Sequence, residues 1–181
     1  MKPNILIMAA DDATYNDLAL YGGHNVQTPN IDRFAQQGRV FNRAYLPMAM
    51  CNPCRTALYT GLHPVRNGSC WNHSAARPGT KSIPHYLGDL GYRVGLCGKK
   101  HVMPDECFPF ENVPGIESRC THPDPEFGVD GIREFMTRDR KEPFCLVTGL
   151  IEPHAPWTVG DYTHFDLDEL KLPPYMADTP E

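Results

Sequence analysis

The densest chemistry in the sequence is the run Cys51, Asn52, Pro53, Cys54, Arg55, followed by Thr56, Ala57, Leu58, Tyr59, Thr60 and Gly61. Cys51 and Cys54 form a C-x-x-C pair, which serves elsewhere as a redox couple or as half of a zinc site. No second C-x-x-C occurs in the chain, which weakens the zinc reading. Pro53 suits the first turn of a helix, where its missing N–H is not needed, and Thr56 to Thr60 are compatible with its continuation. Cys51 is thereby expected at a helix N-terminus, where free N–H groups and the helix dipole favour an anion. Three further sets stand apart from this run. Asp11 and Asp12 are adjacent hard-oxygen ligands suited to Ca²⁺ or Mg²⁺, although an Asp-Asp pair is also ordinary turn chemistry. Lys99 offers a point charge to an oxyanion and His101 a proton carrier. His154 lies between Pro153 and Pro156, which stiffen its loop and aim the imidazole. A loop lysine or histidine is by itself unremarkable, so the weight rests on whether these sets meet.

The elements that must bring them together follow from pattern. Asn4 to Met8 reads as a buried strand, with Ala9 to Thr14 leaving its C-terminal end. Thr28 caps a helix that opens on Pro29, carries Ile31, Phe34 and Ala35 on one face and stops at Gly38. A strand over Val40 to Tyr45 is expected, then the helix after Cys51. Ser82 caps a helix through Leu90, stopped by Gly91, and Tyr92 to Cys97 is the next strand. Asp130 to Arg138 is helical and Phe144 to Leu150 a last strand. Strands alternating with helices predict an α/β fold, a mixed or largely parallel sheet flanked by helices. In such sheets ligands gather at the carboxyl ends of the strands, and Asp11 with Asp12, Lys99 with His101, and His154 each follow a strand directly.

With 181 residues, 41% of them hydrophobic, the chain can bury one sizeable core. A net charge of −5 gives no footprint for a nucleic-acid partner, and no stretch approaches the ~20 apolar residues of a membrane span. The chain opens without an export signal and so reads as cytoplasmic as written, or as periplasmic or secreted if it begins at a mature end. Seven cysteines, at 51, 54, 70, 97, 107, 120 and 145, have no scaffold-like spacing and are expected reduced, with Cys97 and Cys145 in the core. His24, His63, His73, His85, His122 and His164 are expected at the surface or in structural roles. Residues 160–181 trail off in prolines and acidic residues, which reads as the front portion of a larger domain, incomplete at its C-terminus.

Taken together, Pro3 to Asp12, Thr28 to Gly38, the Cys51 run, Gly98 to His101 and Pro153 to Pro156 resemble the sulfatase family of the alkaline phosphatase superfamily, in that family's order. The resemblance implies that Cys51 is oxidised by a formylglycine-generating or radical maturation enzyme to formylglycine. Its hydrate attacks the sulfur of a sulfate group through one hydroxyl, and the second hydroxyl expels sulfate and restores the aldehyde, a route out that serine would lack. It further implies that Asp11, Asp12 and residue 51 bind Ca²⁺, with Mg²⁺ as the alternative. Arg55 and Lys99 steady the nucleophile and the sulfate, His101 takes a proton from the hydrate, and His154 contacts the sulfate or protonates the leaving group. Gly98, Lys99, Lys100, His101 and Val102, with Phe108, Pro109 and Phe110 after them, are most similar to the heparan N-sulfatase (sulfamidase) branch, as are Pro174, Tyr175, Asp178, Thr179 and Pro180. That branch implies N-sulfoglucosamine of heparan sulfate as the sulfated saccharide. Cys54 stands where serine is usual. The family's second pair of metal ligands, an Asp with an Asn, and a further sulfate-binding Lys are expected beyond residue 181. A phosphodiester or phosphonate monoester hydrolase of the same superfamily, and a C-x-x-C redox protein, remain as alternatives.

Overall fold

The computed structural model describes residues 2–119, 127–157, 160–173 and 176–179. Cys120, His122, Pro174, Tyr175 and Pro180 lie outside the described residues. The chain divides into two compact units, one of residues 1–12 and 46–158, the other of 13–45 and 159–181.

The first unit is built on a four-stranded sheet. Strand β1 (Ile5–Ala9) pairs with the last strand, β4 (Phe144–Gly149), which pairs with β2 (Arg93–Gly98), and β2 with the two-residue β3 (Glu111–Asn112). Every pairing is parallel. Within this unit α2 (Cys51–Thr60), α3 (Pro64–Asn67) and α4 (Ile83–Asp89) lie between β1 and β2, and α5 (Asp130–Thr137) precedes β4. Helix α1 (Pro29–Gln37) belongs to the second unit.

The period-two alternation of the strands divides the core between the two faces of the sheet. Leu96 and Val147 pack with Tyr59, Ala76, Val102, Cys107 and Phe108. Their neighbours Cys97 and Leu146 pack on the opposite face with Val113, Phe135 and Phe144. All six residues of β4 are buried, as expected of a central parallel strand covered on both sides. Cys97 and Cys145 are core residues as expected, and Cys51, Cys54, Cys70, Cys97, Cys107 and Cys145 are all free.

Three expectations are corrected. Asn4 to Met8 is not a fully buried strand: β1 lies at the edge of the sheet, with Leu6 and Met8 exposed. Val40 to Tyr45 forms no strand, and Phe41 and Tyr45 are exposed. Helix α1 forms with Pro29 in its first turn, but Ile31 and Phe34 are exposed, so the face that predicted it is not a core face. In that second unit, mutual hydrogen bonds between Asn25 and Lys171 join the two segments of chain.

Candidate active site

The register of the sheet sets the geometry of the site. Ala9 on β1 and Gly98 on β2 both lie opposite Gly149 on β4, so three parallel strands end level with one another. Lys99 N–H continues the ladder to the Gly149 carbonyl at 2.8 Å, and Leu150 N–H to the Ala9 carbonyl at 2.8 Å. A Cβ on Gly98 would collide with the Gly149 carbonyl oxygen, and one on Gly149 with the Lys99 carbonyl oxygen. The two glycines therefore allow an approach of main chains that no other residue permits, and Gly98 also has a left-handed φ of 88°. Asp11, Asp12, Lys99 and His154 leave this level rim from different strands.

Arg55 reaches the same place from α2. Its Nη2 donates to Asp11 Oδ1 at 3.0 Å and its Nη1 to the Lys99 carbonyl at 2.8 Å. Lys99 Nζ donates to the other Asp11 oxygen, Oδ2. Asp11, Arg55 and Lys99 are only about 4–5% exposed. Burial pulls the Asp11 carboxyl upward, but the hydrogen bonds from Lys99 and Arg55 outweigh it and hold the group below its ordinary range. A buried carboxylate with two cationic donors is satisfied on both oxygens, which is the condition for keeping such a charge inside.

Cys51, the first residue of α2, directs its sulfur between the acidic pair, 3.8 Å from Asp11 Oδ2 and 3.8 Å from Asp12 Oδ1. Burial raises the pKa of its thiol and Asp11 adds to the rise; Lys99 opposes it and Asp12 raises it further. Redox C-x-x-C cysteines work through a lowered thiol pKa, so the surroundings of Cys51 run against that reading. His154 Nδ1 lies 2.5 Å from the carbonyl of Ala155, which can only accept, so Nδ1 carries the proton. Nε2 is left to face Asp12 Oδ2 at 3.5 Å and Asp11 Oδ2 at 4.0 Å.

One ligand atom from each of Asp11, Asp12, Cys51 and His154 lies within 4.8 Å of the others. Atoms bound to a single Ca²⁺ at about 2.3–2.6 Å are at most about 5 Å apart, so the cluster has the dimensions of a cation site. Two carboxylates are the right donors for a hard ion. Among the described residues Cys54 joins no such cluster, so the C-x-x-C pair does not act as a ligand pair there. His154, expected to meet the sulfate, thus stands beside the acidic pair as well.

His101 occupies the loop after β2. Burial, followed by the charge of Lys99, lowers its pKa and favours the neutral ring. Its Nε2 lies 3.4 Å from His73 Nδ1, with ring centroids 5.1 Å apart. His73 was expected to be a surface or structural residue, and no pattern in its Ser- and Gly-containing loop marks it otherwise. Among the described residues the other histidines agree with expectation: His24, His63 and His164 are exposed, and His85 accepts the Ser82 N–H at the start of α4. Left-handed φ outside glycine occurs, among the described residues, at Asp12 (57°), His73 (63°), His101 (43°) and Trp157 (55°). Such conformations cost on the order of 1–3 kcal/mol each and gather at functional sites; all four belong to the loops of this rim and its neighbour His73.

Comparison with known proteins identifies the family. The sulfatase family model matches residues 3–165. The chain belongs to the sulfatase family. It is 33% identical over 181 residues to an ulvan-active sulfatase of Formosa agariphila, covering 96% of this chain and 34% of that protein. It is also 33% identical over 162 residues to human N-sulphoglucosamine sulphohydrolase, covering 83% and 32%. A solved structure described as a complex with its substrate D-glucosamine-2-N,6-O-disulfate superposes with a TM-score of 0.75 at 29% identity, covering 87% of this chain and 36% of that one. The fold is accordingly the sulfatase form of the alkaline phosphatase-like α/β architecture. The chain spans about a third of the length of these relatives.

Proposed function

We propose that residues 1–181 form the N-terminal part of a sulfatase catalytic domain, in which residue 51 acts as formylglycine beside a bound Ca²⁺ and the enzyme cleaves sulfate from a sulfated sugar. N-sulfated glucosamine of heparan sulfate is the preferred substrate in this reading. The observation that carries it is the convergence of Cys51 with Asp11, Asp12 and His154, backed by the buried Arg55 and Lys99. The amino sugar is supported by the names of two relatives and by the Gly98 to His101 sequence.

Asp11, Asp12 and residue 51 would hold the ion, which when bound supplies positive charge toward the negative charge that develops on the sulfuryl oxygens. Arg55 and Lys99 keep Asp11 ionised and oriented, and Lys99 adds a cation to the anion-binding surface. The N-terminus of α2 sets residue 51 where free N–H groups favour an anion. His101, whose ring is kept neutral by burial, takes the proton of the attacking hydroxyl, and His154, which must first gain a proton on Nε2, delivers it to the leaving nitrogen or oxygen.

The reading is tested on the natural full-length protein from a host with the maturation machinery. Mass spectrometry of the peptide holding residue 51 is expected to show the loss of mass for thiol-to-aldehyde conversion, and a fully alkylatable Cys51 overturns the formylglycine. Turnover is then compared on N-sulfoglucosamine, an aryl sulfate and an aryl phosphonate. Faster hydrolysis of the phosphonate would replace the sulfatase assignment with a phosphonate hydrolase.

A further inference from the structure

His73 enters neither the metal cluster nor any role assigned above, yet the fold holds it in place. Its Nδ1 faces His101 Nε2 at 3.4 Å. The other ring nitrogen of His101, Nδ1, is buried and has no hydrogen-bond partner. Both residues have positive φ, and the loop that carries His73 is tied down on each side of it. Asn72 Oδ1 accepts the N–H of Asn52, at 3.1 Å. Ser74 Oγ donates to the Trp71 carbonyl at 2.6 Å. Asn52 is fully buried and links the pieces: Nδ2 donates to the His101 carbonyl at 3.1 Å, while Oδ1 accepts from Ser69 Oγ at 2.7 Å. The residue next to Cys51 therefore fixes the His101 backbone, and through Asn72 and Ser69 the loop of His73, relative to the start of α2.

A neutral imidazole carries one N–H and one bare lone pair, and the partner of one nitrogen decides the state of the other. If His101 Nε2 carries the proton and donates it to His73 Nδ1, His101 Nδ1 is left as the base. The opposite tautomer would bury an Nδ1–H with nothing to receive it, a cost that favours the first arrangement. We propose that His73 is a positioning residue: it accepts the Nε2–H of His101 and so holds His101 in the tautomer whose Nδ1 can take a proton. The proposal rests on the sulfatase reading for what that proton is. To accept at Nδ1, His73 must carry its own proton on Nε2, and the exposure of the residue leaves water to receive it.

Two measurements on the natural full-length protein test this. ¹⁵N-resolved histidine spectra at a pH where His101 is neutral are expected to show its Nε2–H tautomer, and an Nδ1–H tautomer overturns the proposal whether or not any sulfate is turned over. In kinetics, His73→Ala should lower kcat by about 10–100-fold, the usual loss when the partner that orients an active group is removed, with little change in KM. Asn places a carbonyl oxygen near the position of Nδ1 and tolerates left-handed φ, so His73→Asn should recover most of the loss. In a His101→Ala background His73→Ala should cost nothing more. An unchanged kcat in His73→Ala, no recovery in His73→Asn, or a further loss in the double variant each sinks the proposal. Failure of the sulfatase reading looks different: the parent protein turns over no sulfated substrate while the tautomer remains as expected.

Discussion

Asp11 shows how a single carboxylate can be structural and functional together. Its two oxygens are divided between Arg55 and Lys99, and the same group belongs to the cluster whose dimensions suit a cation. Asp11→Asn keeps the shape but removes the negative charge to which both Arg55 and Lys99 donate. Breaking a buried ion pair from one side costs about 3–5 kcal/mol, and denaturant unfolding should register a loss of that order. A loss below about 1 kcal/mol would mean that the pair behaves as a solvent-screened one. At this scale the sequence was informative where a residue follows a strand end, as Asp11, Lys99 and His154 do. Their convergence needed only the assumption of a parallel sheet. His73 was not legible, because its importance comes from a loop folded back onto Asn52 and His101, and no spacing in the chain announces such a return.

Elements were legible where periodicity and end signals agreed. Helix α2 begins at Cys51 and ends before Gly61, whose φ of 68° makes it the left-handed cap. Helix α4 runs between Ser82 and Leu90 as expected. The failures have physical causes. Val40 to Tyr45 has β-forming residues but, among the described residues, pairs with no strand, and strand preference is mostly a property of the partner. β3 is two polar residues with no pattern, and it exists because Gly95 and Leu96 offer an edge. It is held there by Arg138, at the end of α5, whose guanidinium grips both oxygens of Glu111. That hydrogen-bonded pair lowers the pKa of Glu111, against a smaller opposing effect of burial. A lowered carboxylate pKa means stability present above the unfolded value of 4.5 and lost as the pH falls through the folded value. Glu111→Gln should therefore cost up to about 1 kcal/mol at neutral pH and nothing once both states are protonated. A penalty of the same size at both pH values would show that the charge is not what holds β3.

For the molecule as a whole, the proposed cation site links chemistry to stability. A ligand that binds only the folded state adds about 2.7 kcal/mol at one hundred times its Kd. The unfolding midpoint of the natural full-length protein should rise with Ca²⁺ and fall on chelation. A midpoint indifferent to both would remove the metal from the reading. The order of the strands has a further consequence. β4 separates β1 from β2, yet it is the last of the three to be synthesised. At about 5–20 residues per second, some seconds pass between the emergence of α2 and that of the strand that completes the sheet. Throughout that interval β1 lacks the strand that sets Asp11 and Asp12 beside residue 51, which on the proposed formylglycine reading is when the thiol stands open to its maturation enzyme.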